Sequence, residues 1–259
     1  MLQALLHGKL SRQQKNMEDV LTSNVFGLLR YLPPSQGLLP LLSQARTTDG
    51  EQPLRWLIDT DRQSPFITNE DIDYLFWERL HEPGCIFCES DLLLRVRVPS
   101  ERNLLILIEA KYRSPKSSKA DPSETRPKDQ LAREWDNLVR RAKHEDATPF
   151  LIFTTASVGI PQREIQASVV DYLSKPGRSD TPQILWLSWR QISEVFGKNR
   201  DVAILSDLCE LTERLGLKYF HGFSMTEFVP RESHWRFDAI PRRWFDLLTV
   251  PIIDWKFTK

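Results

Sequence analysis

Two apolar runs separated by a polar turn dominate the pattern of this chain. The first, Cys88 to Val98, places Leu92, Leu93, Leu94, Val96 and Val98 behind an acidic start at Glu89 and Asp91. The second, Leu104 to Tyr112, opens with five aliphatic residues and closes on Glu109-Ala110-Lys111. Pro99, Ser100 and Asn103 lie between them, which predicts a hairpin. Strand side chains alternate faces, so Glu109 and Lys111 project to one side and Ile108 and Ala110 to the other. Folding Val98 onto Asn103 or Leu104 places Asp91 opposite Ala110 or Lys111. We expect the second register, because of the two it alone puts Asp91, Glu109 and Lys111 on one face.

Helices and buried strands are predicted on either side of this hairpin. Asn16 reads as the N-cap of a helix with Glu18 and Asp19 in its first turn and Leu21, Val25, Leu28, Leu29 and Leu32 on one face, stopped by Pro33-Pro34. A short helix is expected at 38–45, a strand at 54–58, and a helix through Ile72, Leu75, Phe76 and Arg79. After the hairpin, Arg113 to Lys128 holds three Pro, four Ser and no aliphatic side chain larger than Ala, the composition of a mobile surface loop. An amphipathic helix follows at 129–143, with Leu131, Trp135, Leu138 and Ala142 inward. A strand at 149–155, a helix at 161–173, a strand at 183–189 and a helix at 202–215 complete the pattern. This alternation implies an α/β core in which a parallel portion joins the antiparallel hairpin.

Composition adds the outer boundaries. Residues 1–16 contain Lys and Arg but no acid, and read as a loosely held extension before a main domain at 17–217. Residues 218–259 interleave aromatic residues (Trp235, Trp244, Trp255 among them) with Arg231, Arg236, Arg242 and Arg243. Such an extension packs on the domain or forms a protein interface, and a base-stacking surface is the other reading. The chain has three Cys, no secretory signal and no apolar run near the ~18 residues of a membrane span, which implies a cytoplasmic protein. Cys85 and Cys88, with His81 nearby, have zinc-like spacing, but no second pair exists, so reduced residues in or beside the core are expected. Lys plus Arg and Asp plus Glu are both 35, so net charge does not indicate a partner. Distribution does: residues 111–143 carry ten Lys or Arg against five Asp or Glu, beside the acidic end of the hairpin.

Two carboxylates and one amine at the end of an aliphatic strand must be paired, protonated or bound to a cation. Hard oxygen ligands suit Mg²⁺ or Mn²⁺, which keep several waters and take one or two protein carboxylates. An ordinary buried ion pair would use the same residues. Asp91, seventeen intervening residues and Glu109-Ala110-Lys111 closing a hydrophobic strand resemble the PD-(D/E)XK nuclease superfamily, over roughly residues 17–195. Ser90 rather than Pro precedes Asp91, and Gln130 is followed by Glu134, so the Gln-x-x-x-Tyr pattern of RecB-like members is absent.

The resemblance implies a restriction endonuclease-like core, a mixed central sheet flanked by helices. It implies that Asp91, Glu109 and Lys111 are catalytic in the Mg²⁺- or Mn²⁺-dependent cutting of DNA, with RNA as the alternative substrate. Asp91, Glu109, the Ala110 carbonyl and Glu18 would serve the metal, with Glu78 as a substitute for Glu18. Gln130, Arg113, Lys116, Lys119 and Arg133 are the expected nucleic-acid contacts, although for Gln130 an ordinary exposed side chain is the preferred reading. The family setting implies restriction, antiviral defence or a mobile element, and a homodimer or a directing partner protein. A catalytically silent nuclease-fold subunit, binding nucleic acid or assembling a complex, is the alternative.

Overall fold

The computed structural model describes residues 17–58, 66–99 and 101–220. The expected N-terminal extension and the aromatic segment beyond Phe220 lie outside these residues. A five-stranded mixed sheet lies at the centre, in the order β1 (Ile72–Phe76), β4 (Leu92–Val96), β5 (Asn103–Ala110), β6 (Ala147–Thr155), β7 (Ile184–Ser188). β1, β4 and β5 pair antiparallel, whereas β5, β6 and β7 are parallel. Arg79–Leu80 (β2) and Cys88–Glu89 (β3) form a separate two-stranded ribbon.

Helices cover both faces, and the alternation of β4 and β5 divides the core between them. Leu92, Leu94, Ile106 and Ile108 pack with α1 (Met17–Leu29), α2 (Leu38–Leu42), α5 (Gln191–Phe196) and α6 (Ala203–Arg214). Leu93, Leu105, Leu107 and Phe153 pack with α3 (Gln130–His144) and α4 (Gln162–Leu173) on the other side. A strand buried on both faces has no solvent-facing position, which explains the unbroken apolar run of β5. Each of those aliphatic side chains contributes about 1.5–3 kcal/mol by leaving water.

Two elements differ from the sequence pattern. Ile72–Phe76 is the antiparallel edge strand β1, not a helix. The spacing of Ile72, Leu75 and Phe76 suits a helix locally, but pairing with β4 decides for a strand. Residues 55–58, expected as a strand, form a single 3₁₀ turn. The short helix α5 has no counterpart in the pattern.

Residues 113–128 are a strap tied down at several points, not the loosely held loop that their composition suggests. Lys116 Nζ bonds Asp129 Oδ2 (2.5 Å), Ser168 Oγ (2.9 Å) and the Glu164 carbonyl (3.1 Å). Lys175 Nζ holds the carbonyls of Asp121 (2.9 Å) and Glu124 (3.1 Å) and pairs with Asp171 (3.1 Å), which also accepts the Lys128 and Asp129 amides. Lys116 thus anchors the strap from within it, and Lys175 captures the strap's backbone carbonyls from outside. Lys175→Ala should release the segment and speed tryptic cleavage after Lys119 several-fold, with the rest of the digestion pattern unchanged. An unaltered cleavage rate would mean that the tie is not what orders the strap.

Candidate active site

The hairpin register decides what converges. Leu92 pairs with Ile108 and Val96 with Leu104, so Asp91, just before β4, lies across from Glu109. This is neither of the registers expected, being shifted by two residues from the one that sets Asp91 opposite Lys111. A shift of two preserves the facing, since strand side chains repeat every second residue. The face on which Asp91, Glu109 and Lys111 meet is therefore the expected one, although the pairing is not. They lie where the parallel strands β5, β6 and β7 end, the edge at which open α/β sheets place ligands.

Glu109 is buried at the head of α3. Its Oε1 accepts from Lys111 Nζ at 2.5 Å and from Gln130 Nε2 at 2.5 Å. Asp91 Oδ2 accepts the Ala110 amide at 2.7 Å, so Ala110 meets the site through its N–H. Lys111 lies 3.9 Å from Glu18, which comes from the first turn of α1 and accepts Ser114 Oγ at 2.6 Å. Asp19, the next residue of that turn, accepts Trp77 Nε1 at 3.1 Å, while the Trp77 amide donates to the Asp91 carbonyl. Trp77 holds φ +52°, a conformation that a bulky side chain rarely adopts. The turn after β1 thereby links α1 to the start of β4.

The electrostatics follow from burial. Desolvation, then the charge of Glu109, pushes Asp91 well above the usual carboxylate range. Desolvation and Glu134 do the same to Glu109. Burial alone would depress Lys111, but the charges of Glu109 and Asp91 outweigh it and hold the amine above its ordinary value. Glu134, one helical turn beyond Gln130, is pushed up to about 7, chiefly by burial. One amine is thus set among more carboxylates than it can neutralise.

The other expected residues separate into groups. Arg113 and Lys119 are exposed on the strap, the Arg113 guanidinium lying 5.0 Å from the Tyr112 ring centre. Lys116 points inward, with its donors on Asp129, Ser168 and Glu164. Gln130 is neither exposed nor turned outward: it is buried, bonds Glu109 and accepts the Ser117 amide at 2.6 Å. Arg133 is half-buried, and its Nε is enclosed without a hydrogen bond. Glu78 is joined to Ser90 through its backbone carbonyl, and of the upstream acids it is Asp19 whose charge reaches Asp91. Of the ten basic residues at 111–143, Lys111, Lys116, Lys128, Arg140 and Arg141 hold ion pairs, which lowers the local surplus available to a polyanion. Cys85 and Cys88 are buried free thiols, Cys85 pushed up to about 12 by burial.

Asp19, Trp77 and Glu134 join the site without being marked for it by the sequence pattern. The sequence carries a faint signal for Glu134 alone, since it shares a helical line with Gln130.

A divalent cation fits this donor set in kind. The charge of Glu109 raises the proton affinity of Asp91, and a hard cation would relieve that repulsion. Among the described residues, no three His, Cys, Asp or Glu side chains form a ready-made cage. A Mg²⁺ held by two carboxylates and water needs none. No helix among the described residues is long and apolar enough to cross a membrane. Comparison with protein-family models, with curated proteins and with solved structures finds no match for this chain.

Proposed function

We propose that this protein is a metal-dependent nuclease of the PD-(D/E)XK type that hydrolyses phosphodiester bonds in DNA. The observation that carries the reading is the convergence of Asp91, Glu109 and Lys111 at the carboxyl end of β5. The order of elements also agrees with a restriction endonuclease-like core: an acidic first helix turn, an antiparallel hairpin, then alternating helices and parallel strands.

Asp91 and Glu109 would hold Mg²⁺ or Mn²⁺, with the Ala110 carbonyl and Glu18 as neighbours able to contribute. When bound, such a cation lowers the pKa of water and stabilises charge on the scissile phosphate. Lys111, cationic and bonded to Glu109, is suited to neutralising negative charge developing on the phosphate rather than to removing a proton. Gln130 fixes the orientation of the Glu109 carboxylate. Arg113 and Lys119 are the strap cations placed to meet the phosphate backbone. Replacing both with Ala should weaken DNA binding and reduce the salt slope of log K by roughly 1 for each phosphate that they neutralise. An unchanged slope would remove them from the interface.

The second reading is a catalytically silent nucleic-acid-binding or assembly subunit. It is favoured by one observation: Lys111 and Gln130 both bond Glu109 Oε1, so the chain itself supplies the partners of that oxygen. Incubating plasmid and single-stranded DNA with the wild type in Mg²⁺ or Mn²⁺ separates the two readings. Metal-dependent cutting supports the enzyme. Its absence, with DNA still bound, supports the silent subunit. A role in restriction, defence or a mobile element, with a second copy or a partner directing the cut, belongs to the same proposal.

A further inference from the structure

We infer that Glu134 is a further cation ligand, one that shares a divalent cation with Glu109. The inference rests on the nuclease reading for Glu109 as a metal residue and adds a residue outside the Asp91, Glu109, Lys111 set.

The observation behind it is an unpaired buried carboxylate. Glu134 is 0% exposed, and neither of its carboxylate oxygens has a hydrogen-bond partner. Buried polar atoms are nearly always bonded, and an unbonded one points to an absent water or ion. The donors near it are engaged by Glu109. Gln130 Nε2, close enough to favour the Glu134 charge, makes its hydrogen bond to Glu109, and Lys111 Nζ bonds Glu109 with Glu18 beyond it. Arg133 Nε, on the preceding residue, is itself without a partner rather than bonded to Glu134.

Position points the same way. Glu134 lies one turn after Gln130 on α3, so both side chains face the end of β5. It stands close enough to Glu109 for its carboxyl to raise the proton affinity of Glu109, by charge and by side-chain contact. A cation that bonds both satisfies the two lone oxygens of Glu134 and leaves the Lys111 and Gln130 bonds to Glu109 Oε1 in place. All-oxygen donors select a hard cation, Mg²⁺ or Mn²⁺.

Titration of the full chain with MnCl₂ alone, followed by calorimetry and by thermal unfolding, tests this. The wild type is expected to bind Mn²⁺ and to be stabilised by it. Glu134→Gln should bind at least tenfold more weakly, while its metal-free unfolding temperature at pH 8 is not below that of the wild type, which shows that the fold survives. Wild-type Mn²⁺ affinity in Glu134→Gln overturns the inference. If Glu109→Gln loses the ion and Glu134→Gln keeps it, the metal centre of the nuclease reading stands and Glu134 is excluded. If the wild type binds no Mn²⁺, both fail.

Discussion

Glu109→Gln protein should leave plasmid DNA intact under Mg²⁺ or Mn²⁺ conditions in which the wild type cuts it. The substitution preserves shape and removes one charge at the point where Lys111, Gln130 and the Ala110–Asp91 bond meet. A group that stabilises charge developing in a transition state is worth about 10²–10³ in rate, and one that also holds the metal is worth more. We therefore expect a loss of at least about 10³-fold. Asp91→Asn should behave alike.

Lys111→Ala should be equally inactive but less stable, because it strands a buried carboxylate, a loss that typically costs about 3–5 kcal/mol. Glu109→Gln removes the charge itself, so its far-ultraviolet circular dichroism should match the wild type. Cutting by Glu109→Gln at the wild-type rate would place the chemistry elsewhere.

The second large effect concerns stability in the absence of metal. Glu134 is raised from 4.5 to about 7 by burial, with Gln130, Lys111 and Arg133 pulling against the rise. A carboxyl group raised on folding is protonated in the folded chain where the unfolded chain has already ionised. The unfolded state then binds fewer protons, so stability falls as pH rises from about 4.5 to about 7 and levels off above. The loss is on the order of 3 kcal/mol. For a domain of this size each kcal/mol moves the unfolding temperature by roughly 2–4 °C.

Asp91 and Glu109 shift in the same direction, so they steepen the same decline. Glu134→Gln cannot ionise and should lose only its own part, becoming the more stable protein near pH 8 while staying close to the wild type near pH 4.5. Thermal unfolding in a chelating buffer across this range measures it. Parallel curves for the two proteins would show that Glu134 does not carry the shift.

These effects meet at α3, and the helix shows why part of the site was hidden. Leu131, Trp135, Leu138 and Ala142 announce its inward stripe, yet Gln130, Glu134, Asp136 and Asn137 are buried as well. Amphipathic spacing assigns polar residues to solvent. It does not register that the end of β5 and the strap enclose Gln130, or that Arg178 and residues 82–86 take up Asp136 and Asn137. Lys116 and Lys175 were obscured for the same reason: a lysine in a Ser- and Pro-rich region looks solvated until Asp129 and Asp171 are seen beneath it.

Local sequence was enough for what depends on neighbouring residues. The alternation of β5, the acidic first turn of α1 and the spacing of α3 are each set by residues a few positions apart, and they were legible, as was the face shared by Asp91, Glu109 and Lys111. Tertiary structure decided whatever depends on a distant partner. Pairing with β4 made Ile72–Phe76 a strand, and the pairing of Leu92 with Ile108 set the register. α1 and α3, on opposite faces of the sheet, both reach the end of β5 and bring Asp19 and Glu134 to the site. The physical reason is the same in each case: strand partners and the desolvation of a charge are set by groups far apart in the chain, whereas periodicity records only the side chains within one or two turns.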